Sequence, residues 1–176
     1  MKVFKFGGAS VKNAQGVINV KNIISLYHNE NLVVVISAMG KTTNLMESVL
    51  HCWYHNHKEL ESKLTQLEDY HLAIIHELDN QEQTIYKKVQ PLFHQLRTIV
   101  ADAPSDSFDY EYDRIVPIGE YLSTTIVSAY LNLNNFPNQL LDASEMIRTD
   151  NCFREGQVDW VTSSQLIQET FSKYPD

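Results

Sequence analysis

Apolar residues change their spacing several times along this chain, and each change marks an element. Val3 to Phe6 is a short strand-like run that ends at two glycines. From about Asn13 to His28, Val17, Val20, Ile24 and Tyr27 recur at three- and four-residue steps. That spacing predicts a helix face, with Asn13 as its N-cap. "LVVVIS", 32–37, is a continuous run rich in β-branched residues, which predicts a strand buried on both faces. Strand, helix and strand in this order predict a βαβ unit with parallel strands and a right-handed crossover.

After Gly40 the period is helical from about Asn44 to Ala101. Leu60, Leu64 and Leu67, followed by Ile74, Ile75 and Leu78, form one face. A second helix is predicted from about Gln81 through Val89, Leu92, Leu96 and Ile99, kinked or restarted by Pro91. This stretch reads as a helical excursion inserted between two strands. "ADAPSDSFDYEYD", 101–113, reads as a polar loop, "RIVPIG" as a strand or strand end, and Glu120 to Asn132 as a helix opening after it. "NQLLDA", 138–143, is a third candidate buried strand, and Val161 to Tyr174 has helical spacing at Leu166, Ile167 and Phe171. The class is α/β, a mostly parallel sheet sandwiched by helices, with no internal repeat.

Composition narrows the function. A chain of 176 residues can bury a sizeable core as one domain or part of a larger one. Acidic residues outnumber basic ones 22 to 14, which argues against nucleic acid as a partner. Neither a membrane-spanning run nor a signal peptide is expected, since Lys5 and the glycines interrupt any apolar N-terminal stretch. Cys52 and Cys152 lie far apart without CxxC spacing, as expected for reduced thiols of a cytoplasmic protein.

Two motifs invite chemistry that their spacing does not support. "SAMGKTTN" resembles the end of a P-loop, but that loop needs a glycine five positions before Gly40, where Val35 stands. The segment still forms a strand-to-helix turn at the carboxyl end of a strand, where α/β sheets place their ligands. His51 and His55 are four apart with His57 close by, so two of them could share a helix face, yet they lack HExxH spacing and read as solvated side chains; no metal site is expected.

Lys5-Phe6-Gly7-Gly8 has more content. Two residues without Cβ after a strand let backbone N–H groups meet anionic oxygens at contact distance, and Lys5 adds a mobile positive charge. A tight turn beside a surface lysine fits the spacing equally well. Glu120 opens a helix, where a carboxylate either holds an ammonium group or complements the helix dipole.

In order along the chain, "KFGGASV", "VVVISAMGKTTNL", "IVPIGEYLSTTIVSAYL" and "LLDASEMIRTD" resemble the aspartate kinases of the amino-acid kinase superfamily. The acetylglutamate, glutamate 5- and uridylate kinases open with a similar lysine–glycine strand. Ala9 departs from the Thr usual in aspartate kinases. The resemblance spans nearly the whole chain and implies that residues 1–176 form the N-terminal, amino-acid-binding lobe, with a helical insert at about 44–101.

It further implies that Lys5 stabilises the transferring phosphoryl group, that Gly7 and Gly8 cradle it, and that Ser10 lines the same site. Thr43 would contact aspartate and Glu120 its α-ammonium; Arg148 matches more loosely as a substrate contact. The implied reaction phosphorylates L-aspartate with ATP to 4-phospho-L-aspartate, the first step toward lysine, methionine and threonine, in a homo-oligomeric enzyme. ATP and Mg2+ would be held mainly by a nucleotide lobe with a "GRGGSD"-like loop, which these residues lack, as they lack the regulatory ACT domains. The chain alone is therefore expected to be inactive. Another amino-acid kinase and a non-catalytic carboxylate-binding module are the rival readings.

Overall fold

The computed structural model describes residues 1–79 and 83–174, and the chain divides into two compact units, Met1–Asn138 and Gln139–Asp176. The first opens with strand β1 (Lys2–Phe6), a 3-10 turn (Gly8–Val11), helix α1 (Ala14–Ser25) and strand β2 (Leu32–Ile36). Asn13 caps α1 as its sequence predicts, its Oδ1 accepting from Gly16 N at 2.9 Å. Val17, Val20 and Ile24 turn inward from α1, but Tyr27 lies past the helix end, its ring 5.0 Å from that of Phe4.

β1 and β2 pair in parallel, with Lys2 opposite Leu32 and Phe6 opposite Ile36. Side chains alternate across a strand, so Phe4, Phe6, Val34 and Ile36 share the face that packs on the core. Val3, Lys5, Val33 and Val35 take the other. The expectation that 32–37 is buried on both faces fails there, since Val3 is 65% and Val35 47% exposed. Among the described residues the sheet has these two strands, with helices against one face.

Four helices continue the unit as the periodicity requires: α2 (Thr42–Tyr54), α3 (Leu60–Leu78), α4 (Thr84–Ala101) and, further on, α6 (Ile118–Leu133). The predicted start near Gln81 lies outside the described residues, and α4 runs unbroken through Pro91 rather than restarting there. α6 is the most apolar and lies at the centre, with Ile118, Leu122, Ile126 and Val127 buried and α4 packed along it. Each such side chain contributes roughly 1.5–3 kcal/mol by leaving water. Arg97 on α4 clamps both carboxylate oxygens of Glu68 on α3, at 2.6 and 3.0 Å, and reaches Glu61 at 2.7 Å. Trp53 Nε1 donates to Asp102 O at 2.8 Å, tying the end of α2 to the end of α4.

Two predicted strands and one predicted loop are otherwise. Part of the 101–113 loop and the start of "RIVPIG" form helix α5 (Phe108–Ile115), and "RIVPIG" then runs directly into α6. Ser107 Oγ accepts from Tyr110 N at 3.3 Å, and Asp109 and Glu111 occupy the first turn, where acids complement the helix dipole. Pro117 caps α6, so the break that proline imposes falls between two helices.

"NQLLDA" forms no strand. The second unit holds a 3-10 turn (Ala143–Glu145), an antiparallel bridge between Thr149 and Val158, and α7 (Trp160–Phe171), capped by Asp159 through Val161 N and Thr162 N.

Pro91 is exposed and has no N–H to donate to the carbonyl of Lys87. Pro91→Ala restores that donor, and it is expected to raise Tm by a few degrees; a thermal melt that moves downward would show that the proline is part of α4's native geometry.

Candidate active site

The site is built on the turn that follows β2. Ser37 N donates to Phe6 O at 3.1 Å and Gly40 N donates to Gly8 O at 3.0 Å, so the loops leaving the two parallel strands are stitched backbone to backbone. A Cβ on Gly8 would lie 2.7 Å from Ala38 O and 3.0 Å from Gly40 O. Any larger residue there would push the two loops apart, since backbone atoms cannot swing away. Gly40 itself has φ +54°, the left-handed region that glycine tolerates best.

Lys5 closes one side. It lies exposed on β1, and its ammonium stands 3.5 Å from where a Cβ on Gly7 would be, so the side chain curls over the glycine backbone. Among the described residues no carboxylate pairs with it. Gly7 caps the 3-10 turn and its carbonyl accepts from Ser10 N at 2.8 Å, while the Ser10 side chain is exposed. An uncompensated ammonium over a glycine backbone is an arrangement that suits an anion.

Glu120 closes the other side. It sits half-buried in the first turn of α6. Burial pushes its carboxyl above the ordinary range, while hydrogen bonds from the backbone N–H groups of Glu120 itself and of Ala38 pull the other way. The start of α6 is pinned to the same turn, Ser123 Oγ donating to Ser37 O at 2.7 Å. Among the described residues no Lys or Arg pairs with it, and a half-dry carboxylate so placed suits an ammonium ligand.

Thr43 is half-buried in the first turn of α2, directly after the turn. Its neighbour Thr42, which the sequence did not single out, is buried, with its methyl against Gly119 and its hydroxyl 3.4 Å from His71 Nε2. Lys5, Gly7, Gly8, Ser10, Thr43 and Glu120 thus all belong to elements that meet at residues 37–40. Arg148 belongs to the second unit. There its backbone N donates to Ser163 Oγ at 2.9 Å and its guanidinium to Ser144 O.

His51, His55 and His57 are exposed around the end of α2, with ring centroids 4.5–6.2 Å apart. Among the described residues, no group of three His, Cys, Asp or Glu is placed to hold a metal. No helix among the described residues is long and apolar enough to cross a membrane.

Residues 1–174 match the Amino acid kinase family. Among curated proteins, the chain is 35% identical to the chloroplastic aspartokinase 2 of Arabidopsis thaliana, over 96% of the chain and 30% of that protein. It is 27% identical to the bifunctional aspartokinase/homoserine dehydrogenase 2 of Escherichia coli, over 99% of the chain and 21% of that protein. The chain therefore spans less than a third of the length of these relatives. Its fold is that of Escherichia coli aspartokinase III, seen with lysine and aspartate (TM-score 0.85, 24% identity, 97% of this chain, 38% of that one) and with aspartate and ADP (TM-score 0.84, 23% identity, 96% and 37%). With the family matched over nearly all of its length and its three loop motifs gathered at one turn, the chain belongs to the amino acid kinase family, as a homologue of the aspartokinases.

Proposed function

We propose that the protein is an aspartate kinase, which transfers the γ-phosphoryl group of ATP to the side-chain carboxylate of L-aspartate, and that residues 1–176 are its amino-acid-binding lobe. The observation that carries this reading is the opposed pair of charges at one turn: the unpaired ammonium of Lys5 over Gly7, and the half-buried carboxylate of Glu120 beside Ala38. An amino acid that accepts a phosphoryl group needs both, one charge for the phosphoryl oxygens and one for the α-ammonium. Homology to aspartokinases favours aspartate over other acids. The product is 4-phospho-L-aspartate, which feeds lysine, methionine and threonine synthesis.

In this mechanism an oxygen of the aspartate side-chain carboxylate attacks the γ-phosphorus as the bond to the β-phosphate oxygen breaks, leaving an acyl phosphate and ADP. The nucleophile is already ionised, so no general base is required, and positioning and charge stabilisation supply the catalysis. Lys5 follows the phosphoryl oxygens, the N–H groups at Gly7 and Gly8 face the same charge, and Ser10 lines its edge. Glu120 holds the α-ammonium, Thr43 contacts the aspartate, and Arg148 matches more loosely as a substrate contact. Mg2+, when bound with ATP, would neutralise phosphate charge; it and the rest of the nucleotide are assigned to a further lobe of the longer protein.

Lys5→Ala in the full-length enzyme is expected to lower kcat by about 100-fold or more with a smaller change in aspartate KM, since one preorganised charge at a developing anion contributes about 2.7–4 kcal/mol. A steady-state ADP-release assay decides it, and near-normal kcat would return Lys5 to the role of a surface lysine beside a turn.

Glu120→Gln makes two further expectations. Aspartate KM should rise roughly 10- to 100-fold, the cost of replacing a charge-assisted bond. Because burial raises the Glu120 pKa, the folded chain holds that proton more tightly than the unfolded chain does. The stability this contributes is fully present below the ordinary carboxylate value and is lost as pH rises through the raised value. At neutral pH the glutamine variant should therefore melt no lower than the wild type, and any advantage should shrink in melts run toward about pH 4. A lower melting temperature at neutral pH with unchanged KM would make Glu120 a helix-start charge instead.

A further inference from the structure

Behind the Ser37–Gly40 turn stands α3, which contributes nothing to the reaction proposed above yet touches both sides of the site through two adjacent residues. Tyr70 OH donates to Lys12 O at 2.6 Å, closing the end of the 3-10 turn that begins at Gly8. The same oxygen lies 2.6 Å from where a Cβ on Gly40 would be, so the phenol also abuts the second loop. His71 is fully buried. Its Nδ1 lies 2.8 Å from Leu67 O, and a carbonyl can only accept, so Nδ1 carries the proton. Nε2 is then an acceptor, and the Thr42 hydroxyl, 3.4 Å away, donates to it. Thr42 opens α2, immediately before Thr43, and its methyl rests against Gly119, the residue before Glu120.

Successive residues of a helix point about 100° apart, which is how neighbours on α3 reach different loops. The neutral, singly protonated His71 fixes one rotamer of Thr42 and with it the start of α2. Tyr70 fixes the end of the 3-10 turn. Both loops leave the two strands that pair among the described residues, and α3 packs behind the turn where the loops meet.

We propose that Tyr70 and His71 are positioning residues of the kinase site: Tyr70 holds the glycine loop that receives the phosphoryl group, and His71, through Thr42, holds the amino-acid side formed by Thr43 and Glu120. This rests on the aspartate kinase reading above. Neither residue touches substrate; each acts through one hydrogen bond to a loop.

The test uses the full-length protein and three near-isosteric variants, with steady-state kinetics in both substrates and a thermal melt for each. Thr42→Val keeps the methyl against Gly119 and removes the hydroxyl from His71; it should raise aspartate KM about 5- to 10-fold, the size of one ordinary hydrogen bond, and leave ATP KM within about twofold. Thr42→Ser keeps the hydroxyl and should stay within about twofold of wild type in both. Tyr70→Phe should act on the other side, lowering kcat or raising ATP KM by a similar factor while aspartate KM stays put. The imidazole 15N spectrum of the wild type should show His71 protonated at Nδ1 alone.

Folded variants that melt lower but keep wild-type kinetics would make Tyr70 and His71 structural only. A Thr42→Ser effect equal to that of Thr42→Val would assign the role to the methyl and overturn the part given to His71. A wild type with no aspartate-dependent ATP turnover would overturn the kinase reading and these roles with it, whereas turnover that none of the variants alters would overturn the positioning roles alone.

Discussion

Everything at this site hangs on the backbone of four residues, Ser37 to Gly40. Their N–H and C=O groups accept or donate to β1, to the glycine loop and to α6: Ser37 N to Phe6 O, Gly40 N to Gly8 O, Ser123 Oγ to Ser37 O, and Ala38 N toward the Glu120 carboxyl. Buried backbone groups must find partners, and here their partners are the site's own elements. The consequence is that three stretches separated by tens of residues are brought to one place by hydrogen bonds that any side chain could accompany, provided two positions have none. Gly8 and Gly40 are those positions, the first because backbone lies where its Cβ would be and the second because of its left-handed φ.

That arrangement explains why the glycine motif supports two readings at once. Gly8 is required by loop-to-loop packing, which is structural, and in the proposed kinase its backbone N–H also serves an anion, which is chemical. Neither use displaces the other. Gly7 differs, since Lys5 is the atom group nearest to its missing side chain. The charge at this place is thus held close to bare backbone, where a ligand's oxygens could meet both.

What was legible in the sequence follows from how local each interaction is. The helices α1, α2, α3, α4, α6 and α7 are set by apolar spacing within a few residues, helped by side-chain caps at α1 and α7, and their apolar faces could be read directly. Strands need partners that spacing does not reveal. "NQLLDA" has the composition of a strand but meets no second strand, and "RIVPIG" lies across the junction of α5 and α6 despite its β-branched residues. The serine, two acids and proline around that junction were helix signals, outweighed by the apolar run. At the site, Lys5, Gly7, Gly8 and Glu120 stand out by motif. Thr42 with His71, 29 positions apart, and Tyr70 with Lys12, 58 apart, do not, because only the packing of α3 brings them together.

The short sheet carries one more implication. Among the described residues β1 and β2 pair only with each other, so within this stretch each strand has one row of amides and carbonyls with no strand beside it. Next to that row lies an open face bearing Val3, Val33 and Val35, and the charge that interrupts it is Lys5. An edge beside exposed β-branched residues is the geometry through which strands of separate molecules add to one another, and a lysine pointing out of such a face is one of the devices that discourages it. A neutral residue at position 5 would leave this face of the two strands without that charge, so loss of Lys5 removes a deterrent to strand addition as well as a positive charge beside the glycines.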